Sequence, residues 1–337
     1  MKKRICMMMA VAALGCHRLA AQTVFGIEYA TEMQTDFRDL NWVNLLKMDF
    51  SRVLGRGIRL DLGTISIAKT RSERLVNDRQ VFSNIEEENL PFSLSVAGLS
   101  FSRGASSLFA GIRNLNEDYF TSPVTSLFTN SSCGIFPTIS VNYPIANYPL
   151  SSLGIHYTCR KERWRIQASV YNGRGYNGFT ADNLPFRFRP ASDGVLGIFS
   201  SNYQNNGSSY HFGGVLHSGF QVGTGQTARR SVSGAVWGYA EQRLTQQLSL
   251  LMQYSAAFPS AIWCRMFGGL GLVVRFRRVE AGCFSDCALF SGEKELATEL
   301  TCRIFFSQHA SLQPAIHCIR GSFGNRVVAL TRLNITL

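Results

Sequence analysis

The feature that most limits what this chain can fold into is an alternation of apolar and polar residues with a period of two. Trp164, Ile166, Ala168 and Val170 alternate with Arg165, Gln167, Ser169 and Tyr171. Leu300, Cys302, Ile304 and Phe306 alternate with Glu299, Thr301 and Arg303, and Ile58, Leu60 and Leu62 with Arg59, Asp61 and Gly63. Successive side chains of a strand point to opposite faces, so each segment has one apolar and one polar face. A soluble sandwich gives the same alternation, and the choice between architectures falls to the connections.

The pattern predicts sixteen strands, near residues 23–31, 41–51, 58–67, 92–102, 107–114, 151–158, 163–172, 193–201, 210–220, 231–242, 246–258, 265–275, 278–286, 297–306, 311–319 and 327–337. Long connections follow Thr31, Ile67, Asn114, Asn172 and Phe220, with shorter examples after Phe258, Asp286 and Ile319. Tight ones include Val53–Arg56, Arg103–Ser106, Cys159–Glu162, Arg243–Thr245 and Ser307–Ala310. Long loops at one end and tight turns at the other mark an outer-membrane barrel. The fold expected is therefore all-β, a transmembrane antiparallel β-barrel of about sixteen strands, with both termini at the short-turn, periplasmic end. Trp42, Phe50, Trp164, Trp237, Tyr239, Phe258 and Trp263 lie near strand ends and are expected to form aromatic girdles.

Residues 1–21 read as a secretory signal peptide ahead of a single barrel domain, 22–337. Lys2, Lys3 and Arg4 precede the apolar stretch Ile5 to Gly15, and Leu19, Ala20 and Ala21 offer a cleavage site. Lipoprotein processing before Cys16 is a rival that Ala13 and Leu14 fit poorly. Loss of Lys2, Lys3, Arg4 and Arg18 takes the formal net charge from +12 to +8. The remaining cations are scattered singly apart from Arg277-Arg278 and the Arg160 to Arg165 turn, which argues against a nucleic-acid partner. Beyond the leader nothing approaches eighteen continuous apolar residues, so no transmembrane helix is expected. The cysteines at 133, 159, 264, 283, 287, 302 and 318 match no zinc spacing. They read as small apolar wall residues, with Cys283 and Cys287 on one strand face; a disulfide stays open in an oxidising compartment.

One stretch carries a family resemblance. Gly111 to Tyr157 reads GIRNLNEDYFTSPVTSLFTNSSCGIFPTISVNYPIANYPLSSLGIHY. It resembles the carbohydrate-selective porins of the OprB family, whose central region carries a NEDF/NEDYF-like turn, an LF-NSS stretch and a NYP…YPL segment leading into a strand. Residues 295–319, ELATELTCRIFFSQHASLQPAIHCI, resemble that family's late hairpin, and Trp42 to Phe50 match more loosely a W-x-N-x-L-x-x-D strand. Cysteine stands at 133 and 302, where the family usually has aromatic residues. The resemblance implies an integral outer-membrane porin of a Gram-negative bacterium that passes small sugars by diffusion. Small carbohydrate solutes and outer-membrane lipid would be its partners, with no cofactor or metal and no catalysis; association into a homotrimer is left open.

The residues themselves suggest where such a pore would narrow. Leu115 to Leu150 is too long for a surface loop and holds four prolines, among them Pro144 and Pro149, so it is expected to fold into the lumen. Charged groups on the lipid face near the midplane cost about 2–4 kcal/mol. Parity then turns Arg59, Asp61, Arg113, Arg165, Gln167, Glu299, Arg303 and Arg332 inward. Glu117 and Asp118 could pair with Arg113 or Arg165, and Tyr119, Phe120, Tyr143 and Tyr148 would offer rings to a sugar. The competing reading is that these charges only hold the loop in place. Five arginines against two acids in the inward set raise an anion-preferring pore as an alternative. A barrel hydrolase and a non-conducting structural barrel are the alternatives of another class. His217-Ser218-Gly219 cannot form a catalytic pair, because adjacent strand residues face opposite ways, and no Asp/His pair has hydrolase spacing.

Overall fold

The computed structural model describes residues 23–221, 229–258 and 263–337. Residues 1–22, on which the expected signal peptide falls, and most of the connections after Phe220 and Phe258 lie outside the described residues. In chain order the strands are β1 (Thr23–Thr35), β2 (Leu40–Gly55), β3 (Ile58–Lys69), β4 (Leu90–Arg103), β5 (Ser106–Arg113), β6 (Ser152–Lys161), β7 (Trp164–Asn172) and β8 (Val195–Asn205). They continue as β9 (Ser208–Gln221), β10 (Arg229–Arg243), β11 (Leu248–Phe258), β12 (Cys264–Arg275), β13 (Val279–Phe290), β14 (Glu293–Phe305), β15 (Ala310–Gly321) and β16 (Gly324–Thr336).

Each strand pairs antiparallel with its sequence neighbour, and β1 pairs with β16, so the sheet closes on itself. Closure leaves no unpaired edge, the condition for a sheet in hydrocarbon. The seam is tied at both chain ends, where the Ile27 N–H donates to the Leu337 carbonyl at 3.0 Å and the Leu337 N–H returns at 2.9 Å. At the β8–β9 turn Asn206 and Gly207 both have positive φ, +49° and +80°, the left-handed pair that a two-residue hairpin needs.

Parity holds as the alternation requires. Trp164, Ile166 and Val170 are exposed on the outside, as are Leu62, Leu300 and Ile304. Gln167, Ser169, Asp61, Glu299, Thr301 and Arg332 are buried inside. Trp42, Trp164, Phe258 and Trp263 are exposed near strand ends. Trp237 and Tyr239 are not in a girdle: they point inward and are 4% and 5% exposed. Among the described residues all seven cysteines carry free thiols. Cys283 and Cys287 share the outer face of β13, whereas Cys133 and Cys264 are buried in the interior.

The connection pattern differs from the sequence expectation at three places. The link after β1 is only 36–39, because the strand runs on to Thr35. Pairing continues past Asp286 to Phe290 and past Ile319 to Gly321, leaving two-residue turns at 291–292 and 322–323. Described long segments are therefore 70–89, 114–151 and 173–194, and two of them enter the barrel.

Candidate functional site

The 114–151 segment enters the barrel and packs on the inner face of the wall from β7 to β15. It contains the one-turn helices Ser131–Gly134 and Pro137–Ser140. Phe136 is fully buried against Phe120, Trp237, Tyr239 and Phe267, with ring centroids 5.7–6.3 Å apart. Phe128 meets Phe284 at 5.2 Å. Gly282 makes room for this contact, since a Cβ there would lie 2.9 Å from both Leu127 and the Phe128 ring. A porin-type interior is usually polar. Here the inner faces of β10 to β13 carry large apolar side chains beside a few polar ones, and the infolded segment completes a core inside the lumen.

Wall side chains hold the segment's backbone. Glu299 accepts from the Thr129 N–H (2.8 and 3.0 Å), the Thr129 hydroxyl (3.0 Å) and the Asn130 N–H (3.0 Å). Glu241 accepts from the N–H groups of Val124 (2.8 Å) and Thr125 (3.2 Å), and from the Ser122 hydroxyl. Donors bind carbonyls in turn: Arg275 that of Pro123 at 2.7 Å, Arg303 that of Ser126 at 2.6 Å, and Gln313 that of Leu127 at 2.5 Å. An irregular segment inside a barrel needs such partners, because each unmet buried backbone group costs about 1–3 kcal/mol.

The 70–89 segment also folds inward, which the sequence reading missed. Val76 and Phe82 pack on Ala297, Ala315, Ile319, Val328 and Leu330, and Ile85 packs beside Val43, Leu45, Ile65 and Ile67. Glu295 accepts from the Arg79 and Gln80 N–H groups at 2.9–3.0 Å. The two segments are joined by Asn84 N–H to Thr129 carbonyl (2.7 Å), Ser131 N–H to Val81 carbonyl (3.0 Å) and Tyr148 hydroxyl to Ile85 carbonyl (3.1 Å). Asp78 caps the turn by accepting from the Phe82 N–H at 2.7 Å. Burial and then the Glu295 carboxylate push its pKa up to about 7.

What remains open is a polar passage on the β14–β16 and β1–β2 side. A cavity of about 680 Å³ reaches from Gln308, His309 and Thr336 at the short-turn end up to Ser140, Asn147 and Tyr148. A second cavity of about 380 Å³ is lined by Asn89, Pro144 and Asn177. Glu87, Ser140, Asn147 and Tyr148 line both, so a route joining the two would have its neck at these four residues. Seven charged side chains line the larger cavity, and each has an opposite charge nearby. Lys47 pairs with Glu28 (3.6 Å), Arg332 with Glu32 (2.8 Å), Arg79 with Glu293 (2.9 Å) and Arg303 with Glu280 (3.9 Å). Glu86 pairs with Lys69 (3.8 Å) and Glu87 with Arg74 (3.9 Å).

The predicted constriction residues divide in two. Tyr148 and Arg303 line the passage, as does Arg332. Arg113 and Asp118 form a bidentate pair at 2.5 and 2.7 Å behind the infolded segment, and Glu299 is its anchor. Tyr119 and Tyr143 are buried in the loop–wall core. Arg59 and Asp61 pair with each other at 2.8 Å near the β2–β3 turn. Glu117 is exposed, close to Asn116 of the cavity lining, and Arg165 faces inward on β7 with no ion pair among the described residues. Lys47, Glu28, Glu86, Glu87 and Asn147 are passage residues that parity and spacing did not single out.

The fold also assembles a trio that no sequence spacing announced. Asp118 lies 3.4 Å from His156, whose other ring nitrogen is 2.8 Å from the Ser169 hydroxyl. All three are buried, Asp118 is already clamped by Arg113, and Ser169 is bonded to the Tyr119 hydroxyl at 2.7 Å. Through the Arg113–Asp118 and Tyr119–Ser169 bonds the trio ties the loop to the wall. Among the described residues no group of three or more His, Cys, Asp or Glu side chains is placed to hold a metal ion.

No family model matches the chain, and no curated protein matches it by sequence. Solved structures do match it. A high-pH structure of Pseudomonas putida OprB is similar over 95% of both chains, with a TM-score of 0.82 at 14% identity. A loop-deletion mutant of OmpT, an outer membrane protein of Vibrio cholerae, is similar over 94% of this chain and 99% of that one, at TM-score 0.62 and 10% identity. A mutant of the Rh. blastica porin covers 94% and 100%, at 0.61 and 8%.

Proposed function

We propose that the chain, a closed sixteen-stranded antiparallel barrel with the fold of the outer-membrane porins and segments folded into its lumen, is a passive outer-membrane pore for small neutral solutes, sugars first among them, exported to that membrane by residues 1–21. The observation that carries this reading is the charge-balanced polar passage left between the two infolded segments and the β1–β2 and β14–β16 wall. Its volume of about 680 Å³ falls in the range of small-molecule sites. Amides and hydroxyls of Asn84, Asn116, Asn147, Ser131, Ser140 and Tyr148 line it. Such groups exchange hydrogen bonds with a sugar's hydroxyls, and the Tyr148 ring can take an apolar sugar face. The sugar selectivity of the OprB-type resemblance points the same way.

The anion-preferring alternative drew on five inward arginines against two acids. Four of the five have carboxylates at 2.5–3.9 Å, partly from acids outside that set: Asp61, Asp118, Glu280 and Glu32. A lining paired in this way supplies little net field. Reversal potential under a salt gradient in planar bilayers tests the point. A value near zero, with current reduced saturably by added glucose, supports the neutral-solute reading. A large anion-selective potential that glucose leaves unchanged replaces it with the anion pore.

A further inference from the structure

The two ends of the barrel differ in charge. At the short-turn end Arg52 and Arg56 flank the β2–β3 turn, Arg103 the β4–β5 turn, and Lys161 and Arg163 the β6–β7 turn, all exposed. Further round, Arg243 stands at the β10–β11 turn, and Arg277 and Arg278 at the β12–β13 turn, again exposed. Glu162 is the one acid among these turn residues. Among the described residues none of these cations has a carboxylate within salt-bridge reach, whereas Arg59 and Arg275, set further inward, are paired at 2.8 and 2.9 Å. At the opposite end Arg71, Arg79 and Arg187 are paired with Asp39, Glu293 and Asp182, and the exposed Arg38, Arg174, Arg189, Arg320 and Arg326, which have no salt bridge among the described residues, share that end with Asp36, Glu73, Glu88 and Asp193.

Three features choose the partner. The cations run along the rim from β2 to β13, so what they meet surrounds the barrel rather than docking on one side. Several leave the outer face: Arg52 continues the outward row of Phe50, Arg103 that of Phe101, and Lys161 lies opposite Trp164 in register. Exposed apolar side chains stand among them, Leu54, Leu244 and Phe276. Cations beside apolar groups at a membrane edge match a phosphate over an acyl chain.

We infer that the short-turn rim binds the anionic phospholipid headgroups of the leaflet around it, recruiting them over zwitterionic ones. This rests on the membrane placement of the barrel and not on which solute crosses it. Trp164 on the outer face beside Lys161 is a built-in reporter, once Trp42 and Trp263 are changed to Phe; Trp237 is buried inside. The refolded protein is placed in vesicles containing brominated phosphatidylglycerol or brominated phosphatidylcholine at equal mole fraction, and quenching of Trp164 is compared. A preference for the anionic lipid on the order of fivefold is expected at low salt, the ratio one surface cation yields. The preference should fall towards one at about 0.5 M salt, and also in the combined variant Arg52→Gln, Arg103→Gln, Lys161→Gln, Arg163→Gln. Insertion with equal quenching by the two lipids overturns the inference alone and leaves a soluble acidic partner as the occupant. A preference that survives the four substitutions overturns it as well. Failure to insert at all overturns the membrane placement and the inference with it.

Discussion

Replacing Glu299 by Gln should loosen the infolded 114–151 segment and widen the pore. Glu299 is 1% exposed and spends both oxygens on Thr129 and Asn130. An amide of the same shape keeps one acceptor and turns an N–H₂ donor towards backbone N–H groups that need an acceptor. Hydrogen bonds to a charged group are worth about 1.5–3 kcal/mol each. Loss of one bond, with a donor left facing a donor, weakens docking by about 3 kcal/mol on that scale. At 1.4 kcal/mol per tenfold, the ratio of docked to undocked segment falls roughly a hundredfold. The barrel wall does not depend on this contact, so the variant should still fold. Single-channel conductance in planar bilayers should rise, and liposomes carrying the variant should admit saccharides that the parent protein excludes. Unchanged conductance and unchanged size cut-off in folded Glu299→Gln would refute the argument that wall carboxylates hold the segment in place.

Other perturbations reach the same architecture from different sides. Phe136→Ala opens the interior aromatic cluster and should cost about 3–5 kcal/mol, seen as a red shift of Trp237 fluorescence; an unshifted spectrum contradicts the packing. Gly282→Val should push Leu127 and Phe128 off the wall at a cost of about 1–3 kcal/mol, read as a lower thermal midpoint with the barrel otherwise intact. Asp78, raised to about 7 against 3.8 unperturbed, binds its proton more tightly when its segment is docked. Docking of 70–89 should therefore be strongest below about pH 4 and weaken as pH rises towards 7. Limited proteolysis of that segment across this range should show the trend in the parent and a weaker one in Asp78→Asn, because burial also raises the pKa of Glu86 and Glu87 of the same segment.

The strands were legible because lipid on one side and a polar or packed lumen on the other enforce period two. Their ends were not, where Glu293, Lys294, Arg320 and Asn325 carry the ladder beyond the apolar belt. There both faces meet water, the alternation stops, and paired backbone reads as loop. Infolding of 114–151 could be read from its length and prolines, and the Arg113–Asp118 pair from its short spacing. The anchors could not, because Glu241 and Glu299 meet backbone N–H groups more than a hundred residues away in sequence. A missed signal was present in the sequence: Trp237, Tyr239, Leu251, Phe267 and Phe284 fall on the inward parity, so β10 to β13 carry large apolar side chains on both faces. Two-sided apolar strands in a barrel need an inner partner. The neck at Glu87, Ser140, Asn147 and Tyr148 depends on how two distant segments meet, which no local pattern encodes.

The most direct test is the rate of glucose-driven swelling of liposomes holding the refolded protein, measured beside the variant Asn147→Trp. Rapid glucose entry is expected through the parent, with near-complete loss in the variant, whose indole fills the neck while the barrel remains folded. Glucose entry that Asn147→Trp leaves unchanged, or no entry through the parent at all, would contradict the proposed function.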